Sequence, residues 1–170
     1  LVRRGIGLVK LPLSVMTAGR AVAGQIECPG HPRMIAVSAY FHTGVALVGA
    51  NLQILDYLKG WILADGRPGG VLAGDFQSPP AALEATDFPR AVNGQIVSTR
   101  NKCFVGNGAT TIDYFVVFQG LQAAVASVER TDGTRIRTHR PVTITCHAKP
   151  TSLRMRSLKM PVSIGVEPLN

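Results

Sequence analysis

Residues 71–80 read Val71-Leu-Ala-Gly-Asp75-Phe-Gln-Ser-Pro-Pro80, a short apolar run followed by an acidic residue and two prolines. The apolar run predicts a buried strand, and the prolines prevent that strand from continuing. We therefore expect the carboxylate of Asp75 at the carboxyl end of a central strand, where α/β sheets usually place functional residues. Two later segments contain residues that could complete a site there: Thr111-Ile-Asp113-Tyr-Phe and Thr138-His139-Arg-Pro-Val142.

The composition describes a basic, globular protein. Its 170 residues suffice for one domain with a substantial core, and 46% of them are hydrophobic, which argues against a disordered chain. The net charge of +8 predicts an acidic partner such as nucleic acid, an anionic membrane or an acidic protein surface. An ordinary basic surface is the alternative interpretation.

The cysteines bear on the compartment. Cys28, Cys103 and Cys146 have no metal-type spacing, and an odd number without Cys-x-x-Cys argues against a disulfide framework or a zinc site. This usage favours a reducing compartment. No apolar run reaches the length needed to span a bilayer.

Hydrophobic patterning predicts a mixture of strands and helices. A helix is predicted over residues 45–64, with a buried stripe formed by Val48, Leu52, Leu55, Leu58 and Ile62. The nearly continuous apolar segment 33–41 predicts a strand buried on both faces. Residues 102–109 are predicted to be an active-site loop or a disordered one. Other strands are predicted through Val9 and Leu11 and at 19–27, 71–75, 95–99, 111–118, 126–129 and 141–147, with short helical turns at 80–83 and 121–125.

The segments around Asp75, Asp113 and His139, in that order, resemble the motifs of the endonuclease/exonuclease/phosphatase superfamily, the DNase I-like nucleases. The superfamily pattern is Gly-Asp-Phe-Asn, then Ile-Asp-Tyr, then Ser-Asp-His-x-Pro-Val. The variant in this sequence is most similar to the endonuclease domains of retroelements. The resemblance implies an α/β fold, a four-layered sandwich of two packed, mainly antiparallel sheets flanked by helices. It assigns residues 1–147 to this domain and leaves 148–170 as a basic carboxy-terminal tail.

The resemblance covers only the later two-thirds of such a domain. The superfamily's metal-binding Glu and its early Asn would precede Leu1, and Leu1-Val-Arg-Arg4 has the pattern of a strand interior. We therefore expect one sheet to be incomplete and the sequence to be a fragment or a processed product. We also expect that this chain alone is not catalytically competent.

The resemblance implies a role for each matched residue. Asp113 would orient His139, which would act as the general base. Asp75 would position the attacking water or help to hold a metal, Mg²⁺ or Mn²⁺. Tyr40 and Gln77 would contact the phosphate. The ordinary alternatives are a surface His139, a turn-capping Asp113, an Asx turn at Asp75 and a Tyr40 at the edge of the core.

Two positions depart from the superfamily pattern. Gln77 replaces its Asn, which keeps the amide but moves the donor by roughly one bond length, and small displacements at a reacting centre are costly. Thr138 replaces the Asp that precedes the His. Because hard divalent cations prefer carboxylate oxygens, Thr138 is a poor replacement as a ligand, and the metal-binding residues stay unassigned.

Three functional hypotheses follow. The first is a partial, metal-dependent phosphodiester hydrolase, an endonuclease. The second is a degenerate nuclease-like domain that serves as a structural or interaction subunit of a larger assembly. The third is nucleic-acid binding without chemistry, to which basic residues such as Arg140 could contribute by contacting phosphates.

Overall fold

The computed structural model describes residues 6–13, 19–27, 32–64, 68–105, 109–133 and 138–147. The strands are β1 (Gly7–Leu11), β2 (Ala21–Glu27), β3 (Met34–Tyr40), β4 (Gly70–Asp75), β5 (Gly94–Val97), β6 (Asp113–Phe118), β7 (Val125–Arg130) and β8 (Val142–Cys146). The helices are α1 (Ala50–Leu63), α2 (Pro80–Glu84) and α3 (Phe88–Ala91), with a 3-10 turn at Leu121–Ala124. The predicted tail at 148–170, Cys28 and residues 1–5 lie outside the described ranges.

Six strands form one mixed sheet in the order β1-β2-β3-β4-β6-β5. β3 and β4 run parallel because α1 connects them, and the other neighbouring pairs are antiparallel. β7 and β8 form a second, two-stranded antiparallel sheet. Two sheets with accompanying helices confirm the predicted α/β class.

One face of the large sheet, the core face, packs against α1. On this face Ile35 and Val37 of β3 and Leu72 of β4 meet Leu55 and Leu58 of the helix, and each of these side chains is buried. Fully burying an aliphatic side chain of this size contributes about 1.5–3 kcal/mol. The helix that crosses from β3 to β4 is therefore held along its length on the sheet that carries the site.

The predicted helix begins too early, and its predicted buried stripe is partly wrong. Ala46 and Gly49 have φ angles of 48° and 52°, a left-handed conformation that a right-handed helix cannot contain. Val48 therefore precedes α1 and is 59% exposed, and Leu52 is 39% exposed. The buried residues of α1 are Asn51, Ile54, Leu55, Leu58, Trp61 and Ile62.

The opposite face, which we call the site face, is covered only in part. The β7–β8 hairpin packs over Val71, Phe115 and Val117 of β4 and β6. Over β2 and β3 the same face stays open, so Val22 is 60% exposed and Ser38 is also exposed. The prediction that residues 33–41 form a strand buried on both faces is therefore wrong. The described part of the second sheet has two strands and leaves Ser38 and Tyr40 of β3 exposed.

The described ranges bear on the expectations for disulfides and for membrane-spanning segments. The two described cysteines, Cys103 and Cys146, both carry free thiols. None of the helices in the described ranges combines the length and the apolar character that crossing a bilayer requires.

Candidate functional site

Three polar residues lie side by side where the central strands of the large sheet meet its edge. Tyr40 pairs with Asp75 across β3 and β4, and Asp75 pairs with Asp113 across β4 and β6. Their registers place all three side chains on the site face, because residues that pair directly across strands point to the same side of a sheet. The end of β4 is therefore the centre of the candidate site.

The residue after each of these three is aromatic, buried and directed to the core face. Successive side chains of a strand point to opposite faces, so the buried ring fixes the direction of the polar residue before it. The rings of Phe41 and Phe76 stack with centroids 5.1 Å apart, and those of Phe76 and Tyr114 stack 4.2 Å apart. This aromatic row anchors the floor of the site in the core.

The described structure brings His139 onto the two aspartates. Its Nδ1 lies 2.8 Å from Asp113 Oδ2, and its Nε2 lies 4.0 Å from Asp75 Oδ2. A carboxylate only accepts hydrogen bonds, so Nδ1 carries the proton and Nε2 is left as an acceptor in the neutral ring. Three residues predicted from separate segments, Asp75, Asp113 and His139, thus form one cluster.

Asp75 is the most enclosed member of the cluster, with 11% of its side chain exposed. Burial raises the pKa of Asp75 above its ordinary value, and the negative charge of Asp113 raises it further. Hydrogen bonds from Gln77 and the charge of His139 act in the opposite direction. The carboxyl group of Asp75 therefore holds a proton more readily than an exposed aspartate does.

Gln77 is turned back onto Asp75. Its backbone N–H donates to Asp75 Oδ1 at 3.2 Å, which is an Asx turn, and its side-chain amide donates to Asp75 Oδ2 at 2.7 Å. The φ angle of Gln77 is 53°, a conformation that Asn tolerates better than Gln. Asp75 therefore forms the Asx turn at the end of the strand and also belongs to the cluster. The Gln77 side-chain amide is hydrogen-bonded to it.

Tyr40 and Thr138 occupy more exposed positions. The Tyr40 side chain is 49% exposed, and its hydroxyl lies 3.5 Å from Thr43 Oγ1. The guanidinium of Arg20 lies over its ring, 5.2 Å from the centroid. Thr138 is exposed, and its carbonyl accepts a hydrogen bond from the backbone of Val105 at 2.9 Å.

An open cavity of about 420 Å³ adjoins the cluster on the site face. Tyr40, Arg140 and the three cluster residues form its polar side, and the apolar side chains of Phe115 and Val142 form part of its floor. The cavity lies where the β7–β8 hairpin ends and the open half of the sheet begins. A group bound there would meet carboxylates that accept hydrogen bonds, the Arg140 guanidinium, which donates them, and an apolar surface.

The donor set of this cluster suits a hard divalent cation. Asp75, Asp113 and His139 each offer one ligand atom within 4.8 Å of the others, and the described ranges contain no second group of this kind. Mg²⁺ is usually bound through one or two carboxylates together with waters and substrate phosphates. The two adjacent aspartates fit that pattern, whereas ligation by the ring nitrogen that faces Asp113 would break the bond between them. Thr138 adds no carboxylate.

The sequence interpretation missed Cys103 and Phe104, which lie inside the predicted loop 102–109. Phe104 pairs with Thr110 on one side and with His139 on the other. The Cys103 sulfur accepts a hydrogen bond from the Asp113 N–H at 3.2 Å, and burial raises the pKa of its thiol. The detectable signal was the apolar triplet Cys103-Phe-Val105 between polar neighbours, which is too short to predict a strand.

Comparison of the sequence with protein-family models and with curated proteins gives no match. Solved structures give clear matches in fold. The endonuclease domain of TRAS1, a telomere-specific non-LTR retrotransposon, matches with a TM-score of 0.66 at 11% identity, over 82% of this chain and 67% of that domain. The AP endonuclease LMAP from Leishmania major matches with a TM-score of 0.58 at 16% identity, over 85% of this chain and 62% of that protein.

A third neighbour is an endonuclease/exonuclease/phosphatase from Bacteroides vulgatus, with a TM-score of 0.53 at 15% identity, over 76% of this chain and 55% of that protein. The chain thus spans about two thirds of the retrotransposon domain and smaller shares of the other two. Identities this low establish the fold alone. The chain has the fold of the endonuclease/exonuclease/phosphatase proteins, which confirms the resemblance read from its three motifs.

Proposed function

We propose that this chain is part of a metal-dependent phosphodiester hydrolase domain, an endonuclease, to whose chemistry it contributes Asp75, Asp113 and His139. The observation that carries the proposal is the geometry of His139, whose Nδ1 lies 2.8 Å from Asp113 while its Nε2 lies 4.0 Å from Asp75. The nuclease names of two fold neighbours support a nucleic-acid substrate.

In this proposal His139 is the general base. Its Nε2 takes a proton from a water molecule in the cavity as the water oxygen attacks phosphorus. The bond from phosphorus to one ester oxygen breaks, and the leaving alcohol takes its proton from solvent. Asp113 holds the ring in the tautomer that leaves Nε2 unprotonated, and its negative charge stabilises the imidazolium that forms. A positioned base of this kind typically contributes about 10²- to 10⁴-fold to the rate.

Asp75 orients the attacking water. Its Oδ2 lies 4.0 Å from His139 Nε2, so one water can contact both groups. We assign Gln77 to holding the Asp75 carboxyl group, because its backbone N–H and its side-chain amide nitrogen each donate a hydrogen bond to that group. Tyr40 and Arg140, which line the same cavity, are assigned to the phosphate oxygens.

The residues that would hold Mg²⁺ or Mn²⁺ are Asp75 and Asp113, with waters and a substrate phosphate completing the set. A bound cation would neutralise charge on the phosphate oxygens. Binding of Mn²⁺ can be followed by electron paramagnetic resonance without any turnover. We expect binding in the wild-type chain and weaker binding in Asp75→Asn.

The test is cleavage of a supercoiled plasmid and of a short DNA duplex, with Mg²⁺ or Mn²⁺ present, by the protein extended with the amino-terminal part that the superfamily domain has. We expect His139→Ala and Asp113→Asn to lower the rate by about 10²- to 10⁴-fold. His147→Ala is the matched control, since His147 is exposed and, within the described ranges, makes one hydrogen bond, from its backbone N–H to the Ala124 carbonyl. Equal rates in the wild type and His139→Ala would refute the assignment. Binding that weakens with salt, without cleavage, would instead favour nucleic-acid binding without chemistry.

The open half of the site face favours a second candidate function, an interaction subunit. Leu8 and Val22 are 53% and 60% exposed there, beside Lys10 and Ser38. Adjacent exposed apolar residues on a sheet commonly mark an interaction surface. This candidate predicts association in sedimentation velocity experiments, with a partner or a second copy. A stable monomer that recruits no partner would count against it.

A further inference from the structure

One short segment, Cys103 to Val105, contacts both members of the His139–Asp113 pair. We propose that Cys103 and Phe104 are positioning residues that hold the His139 ring against Asp113. The contacts stand independently, and their catalytic meaning rests on the proposed hydrolase function. Neither residue is assigned a contact with substrate.

Cys103 holds the segments of both Asp113 and His139, one through its side chain and the other through its backbone. Its sulfur accepts the Asp113 backbone N–H at 3.2 Å, and its carbonyl accepts the Arg140 backbone N–H at 2.7 Å. The first bond fixes the start of β6, and the second fixes the residue next to His139. Because the side chain of Cys103 is fully buried, these bonds do not compete with water.

Phe104 adds a second hold on His139. Its backbone lies between Thr110 and His139 as the middle member of two antiparallel bridges. Two bonds frame the second bridge: the Val105 N–H donates to Thr138 at 2.9 Å, and the Arg140 N–H donates to Cys103. The Phe104 ring meets the His139 ring edge to face, with centroids 5.1 Å apart and an interplanar angle of 65°.

His139 needs such support because it does not lie in a regular strand. It precedes β8 and follows residues 134–137, which lie outside the described ranges. Its ring must stay within hydrogen-bond distance of Asp113 for the tautomer to be fixed. Displacement of a reacting group by about 1 Å can cost roughly 10²-fold in rate. The Cys103–Val105 segment supplies backbone bonds on both sides of His139 and a ring contact above it.

The experiment measures the imidazole N–H proton of His139 by NMR, a signal visible only while the bond to Asp113 slows its exchange with water. His139→Ala identifies the signal by removing it. We expect exchange to become about twofold to tenfold faster in Phe104→Leu, the factor that corresponds to one lost aromatic pair. Cys103→Ala should also accelerate exchange, and Cys103→Ser should restore part of the protection because it keeps an acceptor.

Val105→Ala is the matched control, because this side chain is 41% exposed and only its backbone bonds matter. Unchanged exchange in folded Phe104→Leu and Cys103→Ala would overturn the inference. If Cys103→Ala does not fold, half-buried Phe104 alone decides. Steady-state kinetics are a separate test. Phe104→Leu and Cys103→Ala should both lower kcat and leave KM unchanged. If the amino-terminally extended wild type is inactive while the exchange pattern is as expected, the hydrolase function is rejected and the positioning role is kept.

Discussion

The rings of Phe76 and Tyr114 stack 4.2 Å apart on the core face, directly behind the paired residues Asp75 and Asp113 on the site face. Each strand therefore gives one residue to the core and the residue before it to the site. A substitution in the aromatic row should therefore affect the stability of the protein more than it affects the site. Effects on stability and effects on the site can therefore be measured separately.

Tyr114→Phe should stabilise the protein. The Tyr114 hydroxyl is buried and has no hydrogen-bond partner among the described residues. Burial accordingly raises the pKa of Tyr114. Removing an unpaired buried hydroxyl while keeping the stacked ring should raise the free energy of unfolding by about 1 kcal/mol, measured by chemical denaturation. Tyr40→Phe, at a 49% exposed position, should change it little. A loss of stability in Tyr114→Phe would mean that this hydroxyl is paired.

Asp75→Asn should gain stability relative to the wild type as the pH rises. Burial and Asp113 raise the pKa of Asp75, so the folded state binds this proton more tightly than the unfolded state. The wild type therefore loses stability as the pH rises from the ordinary value of 3.8 through the raised pKa, and the variant does not. Thermal melts between pH 3 and pH 7 test this.

Asp87→Asn is the control for that experiment, with the opposite sign. The hydrogen bond from Lys59 lowers the pKa of Asp87, so this carboxylate favours folding above its unfolded pKa and loses that effect as the pH falls. Asp87→Asn should therefore lose stability relative to the wild type as the pH rises. Parallel trends in the two variants would contradict the assignment of burial to Asp75.

Asn51→Ala should destabilise the protein by about 3 kcal/mol, since it removes three hydrogen bonds of a buried side chain to the backbone. Asn51 is fully buried, accepts from the His42 N–H at 2.7 Å and donates to His42 and Ala46 carbonyls at 2.9 and 2.6 Å. These bonds fix the loop between β3 and α1. Gln53→Ala, exposed on the same helix, should have a small effect in the same denaturation experiment.

Val22→Lys and Ala23→Lys should differ sharply although the residues are neighbours in β2. Val22 is 60% exposed on the open site face, so Val22→Lys should change stability by less than about 0.5 kcal/mol and reduce association. Ala23 is 6% exposed on the core face, so Ala23→Lys should cost about 3 kcal/mol or more. Sedimentation velocity and denaturation distinguish the two effects. Equal destabilisation would show that the site face of β2 is covered.

The sequence was sufficient for features that depend on local pattern. The apolar run before Asp75 predicted β4, and Pro80 predicted the short helix α2, because both signals act within a few residues. The three motifs located Asp75, Asp113 and His139, which the fold brings into one cluster. The start of α1 was missed because positive φ angles at Ala46 and Gly49 leave no clear mark in an apolar segment.

Other features depend on contacts between distant segments. The apolar character of 33–41 could not reveal that Ser38 and Tyr40 are exposed, since that depends on how much of β3 a distant segment covers. The role of Cys103 was hidden for the same reason, because its partners Asp113 and Arg140 lie far away in sequence. The burial of the polar Asn51 likewise depends on its hydrogen-bond partners in the β3–α1 loop.

The alternation between site and core along β3, β4 and β6 has an evolutionary consequence. A point substitution at Asp75 or Asp113 would remove the proposed chemistry while Phe76 and Tyr114 stay in the aromatic row, so the fold would persist without it. A single-residue insertion or deletion within β4 would instead exchange the two faces and bury the carboxylate. Descendants of such a domain should therefore lose function by substitution and tolerate length changes only in the loops outside these strands.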